Sequence, residues 1–353
     1  MPLDIQTLTR LGWGARLQEQ LSLEEMEQTT PCRVMAVHRG RPILSSGTDG
    51  PAIPVAGMPI QERDQGLVTV GDWVLVSSDT GAFVRLLDRF SLIQRQTAGS
   101  DKSQQMIAAN VDTMFIVSSC NADFNLSRLE RYLTIAYAAG ICPVIVLTKR
   151  DAADDPRSYA DMARTLGADI RVELIDARDP ETMTGLRDFC TAGQTIALVG
   201  SSGVGKSTLA NSLGATTQKT GGIREDDAKG RHTTTHRSLH PLSGGAVLLD
   251  NPGMRGLGLA DVAAGVATAF AEIDELAQKC RFSDCQHDHE PDCAVRAAVE
   301  NDALSQRRVN NYSKLMAEQE RNAASIAEQR KKDKATARFH KKVLAHKKSG
   351  KDV

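Results

Sequence analysis

The chain has 353 residues, 41% of them hydrophobic and 25% charged, with a net charge of −1, values ordinary for a globular protein with room for two or three domains. No apolar run approaches the ~18–20 residues of a membrane span, and the first residues, MPLDIQTLTR, lack the basic start and apolar stretch of a secretory signal. Seven cysteines are too few and too unevenly spaced for a disulfide framework; three of them cluster at Cys280, Cys285 and Cys293, which points to metal binding in a reducing compartment, the cytoplasm.

Residues 1 to about 31 are polar, with Leu17, Leu21 and Leu23 spaced for a short helix. From residue 32 to about 97, β-rich runs (CRVMAVH, LVTVGDWVLV and AFVRLL) are separated by Gly, Pro and Asp. Short strands with such turn signals predict a small all-β unit. Its size fits an OB-type barrel, and the pattern alone also allows an SH3-like barrel. Over residues 98–260 the rhythm alternates. TMFIVSS reads as a buried strand, NLSRLERYLTIAYAAG as a helix capped by Asn125 or Ser127 and closed by Gly140, and PVIVLT, IRVELID, TIALVG and AVLLD as further strands. Strands alternating with helices predict an α/β unit on a parallel, doubly wound sheet. Residues 261–353 read as helical, interrupted by the Cys/His cluster.

The segment GSSGVGKST fits the phosphate-loop pattern G-x-x-x-x-G-K-[ST], with Gly200, Gly205, Lys206 and Ser207 at the fixed positions. A strand precedes it and a helix start follows, the context such a loop needs. The backbone of Gly200, Ser201, Ser202, Gly203, Val204, Gly205 and Thr208, with the two fixed polar residues, forms the candidate phosphate cradle. Lys206 would reach the β- and γ-phosphates, and Ser207 would give its hydroxyl to Mg²⁺. Further on, Asp250 ends a strand and starts D-x-P-G, 43 residues after Ser207 (250 − 207). That is the place of a switch II element, where Asp250 would hold Mg²⁺ through a water and the Gly253 amide would sense the γ-phosphate. The polar stretch GGIREDDAKGRHTTTHR between them has the composition of a switch I loop, ordered by nucleotide and Mg²⁺. Thr234 or Thr235 would complete the metal shell; spacing does not choose, and Thr235 is the working assignment.

The stretch TKRD (Thr148, Lys149, Arg150 and Asp151) follows a strand and fits the guanine-reading pattern [N/T]-K-x-D. A carboxylate at Asp151 would accept from the guanine N1–H and exocyclic amine, a donor pair adenine lacks. The stem of Lys149 would lie along the ring. The next strand ends in IDARD, where Asp176-Ala177 takes the place of the usual Ser-Ala and the Ala177 N–H would face the guanine O6. Five nucleotide-binding elements are thus present in the order 4-5-1-2-3, the mark of a circularly permuted P-loop GTPase. Permutation is compatible with a compact domain whose ends lie close together.

The cluster C-x4-C-x-H-x5-C, Cys280, Cys285, His287 and Cys293, offers three thiolates and an imidazole, a set that closes a structural zinc site. His289 is a second candidate ligand.

With GDWV, AANVD, GSSGVGKST, GRHTTTHR, DNPG and this cluster in place, the chain resembles the circularly permuted GTPases of the ribosome small subunit-dependent GTPase A (RsgA) family over residues 32 to about 330. The resemblance implies an N-terminal OB-type domain, a permuted GTPase domain and a C-terminal zinc domain. It also implies binding to the 30S ribosomal subunit late in its assembly, and GTP hydrolysis to GDP stimulated by 16S rRNA. Met254 stands after D-x-P-G where many GTPases carry a water-orienting Gln, and the family implicates a switch I histidine instead, His232 by its place in GRHTTT. Three features depart from the family: Thr148 where Asn is usual, Asp176 where Ser is usual, and the N-terminal and C-terminal segments. The tail, residues 331–353, carries nine Lys or Arg and two Asp, a net +7 against −8 for the rest of the chain. It reads either as a solvated end or as a nucleic-acid-binding arm. A monomer is expected. Two other readings compete: a nucleic-acid-binding protein whose nucleotide domain only gates binding, and an ATP-dependent kinase, against which Asp151 argues.

Overall fold

The structure is a computed structural model and describes residues 5–38, 41–47, 68–96, 104–215, 237–250 and 262–322. The chain opens with three short helices, α1 (Ile5–Arg10), α2 (Ala15–Gln18) and α3 (Leu23–Gln28). Leu8, Leu11, Trp13 and Leu17 pack on Trp73, Leu75 and Leu87, and the Trp13 and Trp73 rings meet edge to face at 4.9 Å. The expected single helix carrying Leu17, Leu21 and Leu23 is corrected: Leu17 is buried, but Leu23 is 82% exposed. The reason is Ser22, which builds a capping box with Glu25 and starts a new helix at Leu23.

Four antiparallel strands follow: β1 (Thr29–His38), β2 (Arg41–Ser45), β3 (Trp73–Ser77) and β4 (Phe83–Leu86), with β1 pairing β2 and β3, and β3 pairing β4. Among the described residues, β5 (Leu92–Gln96) pairs with β6 (Gln104–Ala109) rather than with β4. A parallel bridge links Ala108 of β6 to Val70, in the segment just before β3. Closure into an OB-type barrel is not among these pairings.

The α/β unit contains β7 (Thr113–Ser119), α4 (Leu126–Ala138), β8 (Cys142–Thr148), α5 (Pro156–Arg164), β9 (Arg171–Leu174), α6 (Thr184–Arg187), β10 (Thr195–Val199), α7 (Lys206–Ser212), β11 (Arg237–Pro241) and β12 (Val247–Asp250). Then come α8 (Ala263–Ala269), α9 (Ala271–Ala277), α10 (Ala294–Glu300) and a helix, α11, over 306–322. Among the described residues no helix is long and apolar enough to cross a membrane. Of the two candidate caps for α4, the side chain of Asn125 accepts from the Arg128 N–H at 3.0 Å, and Gly140 past its end takes φ +72°.

The sheet order is β4-β3-β1-β11-β12-β10-β7-β8-β9. Strands β12, β10, β7, β8 and β9 run parallel to one another, and β10, β7 and most of β8 are buried, largely apolar runs, as expected for strands covered on both faces. The wholly parallel sheet expected from sequence is corrected to a mixed one, because β11 runs antiparallel to β12. The turn at 242–246 is too short for a crossover: Leu242 donates to the Ala246 carbonyl at 2.7 Å, and Gly245 sits at φ +89°.

Strand β11 also pairs with β1 at Ala36–Ser238 and Val37–Arg237, so the N-terminal strands and the α/β sheet are continuous. The motifs GDWV and AANVD meet beside this seam. Asn110 donates to the Gly71 carbonyl at 3.0 Å, and Asp112 accepts from the Thr195 N–H at 2.7 Å. Gly71 is required there, since a Cβ would lie 2.0 Å from the Ala109 carbonyl. On the far face α8 crosses α4 so closely that a Cβ on Gly265 would lie 2.1 Å from the Thr134 carbonyl.

Candidate functional site

The phosphate loop leaves the end of β10 and enters α7. Gly200, Gly203 and Gly205 take φ of +143°, +77° and +96°, values L side chains rarely adopt. A Cβ on Gly200 would also lie 2.2 Å from the Val117 carbonyl of β7. Ser202, Gly203 and Ser207 are exposed, while Val204 is buried and anchors the loop. Lys206 Nζ donates to the Gly200 carbonyl at 2.8 Å and also to the Ser201 carbonyl, which lays the ammonium across the loop.

The candidate base-reading stretch leaves the end of β8, two strands from β10. Thr148 is 1% exposed and donates to the Val204 carbonyl at 2.6 Å, so the two loops are bonded to each other. Lys149 takes the left-handed conformation, φ +58° and ψ +34°, a strained state for a side-chain-bearing residue that turns the chain outward at the strand end. Arg150 and Asp151 follow, exposed. The loop after β9 closes the group. Ala177 is buried, and its carbonyl accepts from Ser212 of α7 at 2.5 Å.

The sequence reading overlooked two arginines. Arg128, in the first turn of α4, donates to the Ser201 hydroxyl of the phosphate loop and to Asp123 at 2.9 Å. Arg178 donates to Asp151 and, through Nε at 3.2 Å, to Asp176. The Arg178 guanidinium and backbone N–H hold the Asp176 carboxyl below the usual carboxylate range. Arg178 lies within IDARD and Arg128 in the first turn of a helix, but neither occupies a fixed motif position, so their partners emerge only from the fold.

The backbone of Asp250 ends β12 beside β10. Its side chain lies outside the described residues, as do His232, Thr234, Thr235, Gly253, Met254 and the tail at 331–353.

The Cys/His residues converge. The donor atoms of Cys280, Cys285, His287 and Cys293 lie within 4.8 Å of one another. Cys280 and Cys293 Sγ are 3.9 Å apart, and each stands 3.7 and 3.5 Å, respectively, from His287 Nδ1. A tetrahedral zinc with Zn–S of about 2.3 Å and Zn–N of about 2.0 Å needs donor edges of roughly 3.5–3.8 Å, so the set fits that ion. Desolvation lowers the His287 pKa and favours the neutral, ligating imidazole. His289 lies outside this set, with its side chain 91% exposed and Nε2 3.2 Å from Asp288. Cys293 also caps α10, accepting from the Arg296 N–H at 3.5 Å.

The cluster region is tied to the nucleotide unit through α4. Glu130 is fully buried and accepts from Arg307 at 2.8 and 2.9 Å, from Arg308 at 2.9 Å, and from Asn311, all on α11. One residue on, Arg131 pairs with Glu318.

A family model described as RsgA GTPase matches residues 86–260. A second, described as ABC transporter, matches residues 188–337, a span that includes the phosphate loop. The chain is 49% identical to small ribosomal subunit biogenesis GTPase RsgA 2 of Vibrio vulnificus, over 97% of this chain and 96% of that one. It is 46% identical to small ribosomal subunit biogenesis GTPase RsgA of Mesorhizobium japonicum, over 90% and 91%. Among solved structures it is similar to YjeQ from Thermotoga maritima, with TM-score 0.60 and 24% identity, over 82% of this chain and 98% of that one. It is also similar to YloQ, a circularly permuted GTPase, with TM-score 0.56 and 22% identity, over 82% and 94%. These two likenesses establish the fold.

Proposed function

Because the chain belongs to the RsgA family of small ribosomal subunit biogenesis GTPases, we propose that it binds the 30S ribosomal subunit late in maturation and hydrolyses GTP to GDP there, faster on the subunit and its 16S rRNA than alone. The observation that carries the nucleotide half of this reading is the Thr148–Val204 bond, which fastens a guanine-reading loop to a phosphate loop that follows it in the chain.

In this reading the backbone N–H groups of residues 200–208 cradle the phosphates, and Lys206 turns from its own loop carbonyls to the β- and γ-phosphates. Ser207, Thr235 and Asp250 are the residues that would hold Mg²⁺. The ion, when bound, neutralises charge developing between the β- and γ-phosphates. The Gly253 amide senses the γ-phosphate. Asp151 selects guanine, Lys149 covers the ring and the Ala177 N–H meets O6. His232 positions the attacking water, a role Met254 has no hydrogen-bonding group to fill.

The Cys280, Cys285, His287 and Cys293 set holds one structural zinc, supported by its donor spacing. The domain division is 1–31, 32–97, 98–260 and 261–353. The second of these is an OB-type unit, a reading supported by the antiparallel strands β1–β4, and it contributes rRNA contacts together with the basic tail. The protein acts as a cytoplasmic monomer.

The experiment is steady-state turnover of GTP and of ATP, each with and without purified small subunits. GTP turnover that rises with subunit concentration, beside negligible ATP turnover, is the expected result. Equal use of ATP would overturn the guanine assignment, and indifference to subunits would overturn the ribosomal one.

A further inference from the structure

We propose that Arg178, held in place by Asp176, competes with guanine for the Asp151 carboxylate and so sets how tightly guanine nucleotide is held and how fast GDP leaves; this rests on the guanine-reading role given to Asp151 above. Guanine offers two donors, N1–H and the exocyclic amine, and needs both carboxylate oxygens to accept them. Arg178 Nη2 already donates to Asp151 Oδ2, and a guanidinium on that oxygen offsets the negative charge that would otherwise strengthen its bond to the base.

The arginine is built into the loop. Asp176 Oδ1 accepts from the Arg178 backbone N–H at 2.9 Å and from its Nε at 3.2 Å, while Oδ2 lies 3.4 Å from Nη2. The Asp176 backbone is itself fixed, since Thr182 Oγ1 donates to its carbonyl at 2.9 Å. Ser212 of α7 holds the neighbouring Ala177 carbonyl. The departure of this chain from the usual Ser-Ala thereby acquires a purpose. A serine hydroxyl has no charge with which to hold a guanidinium, whereas the Asp176 carboxylate grips it on two sides and aims its outer nitrogen at Asp151. When the base enters, the guanidinium gives up Asp151 and keeps Asp176. When the base leaves, it takes Asp151 back.

The pair is partly exposed, with side-chain accessibilities of 68% for Arg178 and 39% for Asp151, so its effect is that of a surface ion pair. Removing it should tighten GDP binding by about 2- to 5-fold.

The test uses the full chain and a fluorescent GDP analogue, measuring Kd and dissociation rate. Arg178→Ala should bind GDP about 2- to 5-fold more tightly and release it more slowly. Asp176→Ser should shift both in the same direction. In an Asp151→Asn background, probed with xanthosine diphosphate, Arg178→Ala should change Kd less than it does in the native background, a result loop stiffness alone would not give. Arg178→Ala that binds GDP as the native protein does, or more weakly, overturns the proposal and makes the arginine a bystander or a nucleotide contact. If Asp151→Asn leaves GDP affinity unchanged, the guanine reading fails, and the competition proposal falls with it.

Discussion

Thr148 and Val204, each 1% exposed, are joined by a 2.6 Å hydrogen bond from hydroxyl to carbonyl, which ties the candidate guanine-reading loop to the candidate phosphate loop. The family places Asn at this position, and its absence reads in sequence as the loss of an orienting amide. In the fold the threonine hydroxyl supplies the link to the phosphate loop itself. Thr148→Val keeps the shape and strands a buried carbonyl, at a cost of about 1–3 kcal/mol. It should lower the melting temperature and weaken GDP binding, whereas Thr148→Ser should preserve both. Calorimetric melting with and without GDP checks this, and a valine variant that melts and binds like the native protein would show the bond to be idle.

Base choice gives a second expectation. Asp151→Asn replaces two acceptors by one acceptor and a donor. Guanine loses a partner for its donor pair, and xanthine, with a carbonyl where guanine has its amine, gains one. Competition binding should therefore show weaker GTP and stronger xanthosine triphosphate. A variant with unchanged preference would remove Asp151 from the base site.

What could be read from sequence follows from distance along the chain. The phosphate loop was legible because Gly200, Gly205, Lys206 and Ser207 act within one turn of chain, and its glycine conformations are local. The Cys/His cluster was legible for the same reason: Cys280, Cys285, His287 and Cys293 are close in the chain, and a local turn with His287 at φ +64° brings their donor atoms together. The contacts that join elements were not legible. Arg178 meets a carboxylate 27 residues away, and Glu130 meets arginines 177 and 178 residues away, and no periodicity encodes such pairs. Strand β11 was hidden because RSLHP is short and ends in Pro241. It becomes a strand through its pairing with β12 on one side and β1 on the other, a tertiary override of weak local propensity.

For the metal centre, metal analysis of the purified protein should find one zinc per chain. Cys285→Ser should lose it and lower the stability of the C-terminal helices, because Cys293, a member of the proposed ligand set, also caps α10 and the folding of such a cluster is coupled to its ion. Chelator treatment of the native protein should do the same. Unchanged melting after metal removal would refute the structural role.

Glu130 gives an expectation about how the C-terminal helix is held. Its carboxylate is fully buried and bonded to Arg307, Arg308 and Asn311. Arg308 is itself buried and also donates to the Ala269 carbonyl at 2.8 Å. Glu130→Ala would take one of two carboxylates from the buried Arg308, which keeps Glu272, and would leave the buried Asn311 amide without its acceptor, a change worth about 1–3 kcal/mol. The melting temperature should fall by roughly 2–6 °C, and hydrogen exchange over 306–322 should accelerate more than over β7 and β8. Uniform exchange across the chain would mean that Glu130 does not hold α11.

The last expectation concerns coupling to the small subunit. Met254 has no donor or acceptor suited to a water, so free protein should hydrolyse GTP slowly. In the proposed mechanism His232 takes that task when the protein docks on the subunit, and one well-placed polar group is worth on the order of 10²-fold in rate. Docking should rest largely on phosphate contacts made by the N-terminal β unit and by the tail with its nine Lys or Arg, so subunit binding should fall steeply with salt. His232→Ala should abolish most of the stimulated turnover while leaving GDP affinity and subunit binding near native values. Lys206→Ala should instead impair nucleotide binding itself, because its ammonium spans the phosphate loop. The measurement is GTP turnover against subunit concentration for native, His232→Ala and Lys206→Ala proteins. If native and His232→Ala proteins accelerate equally, His232 does not position the water, and the stimulating group belongs to another residue or to the ribosomal RNA.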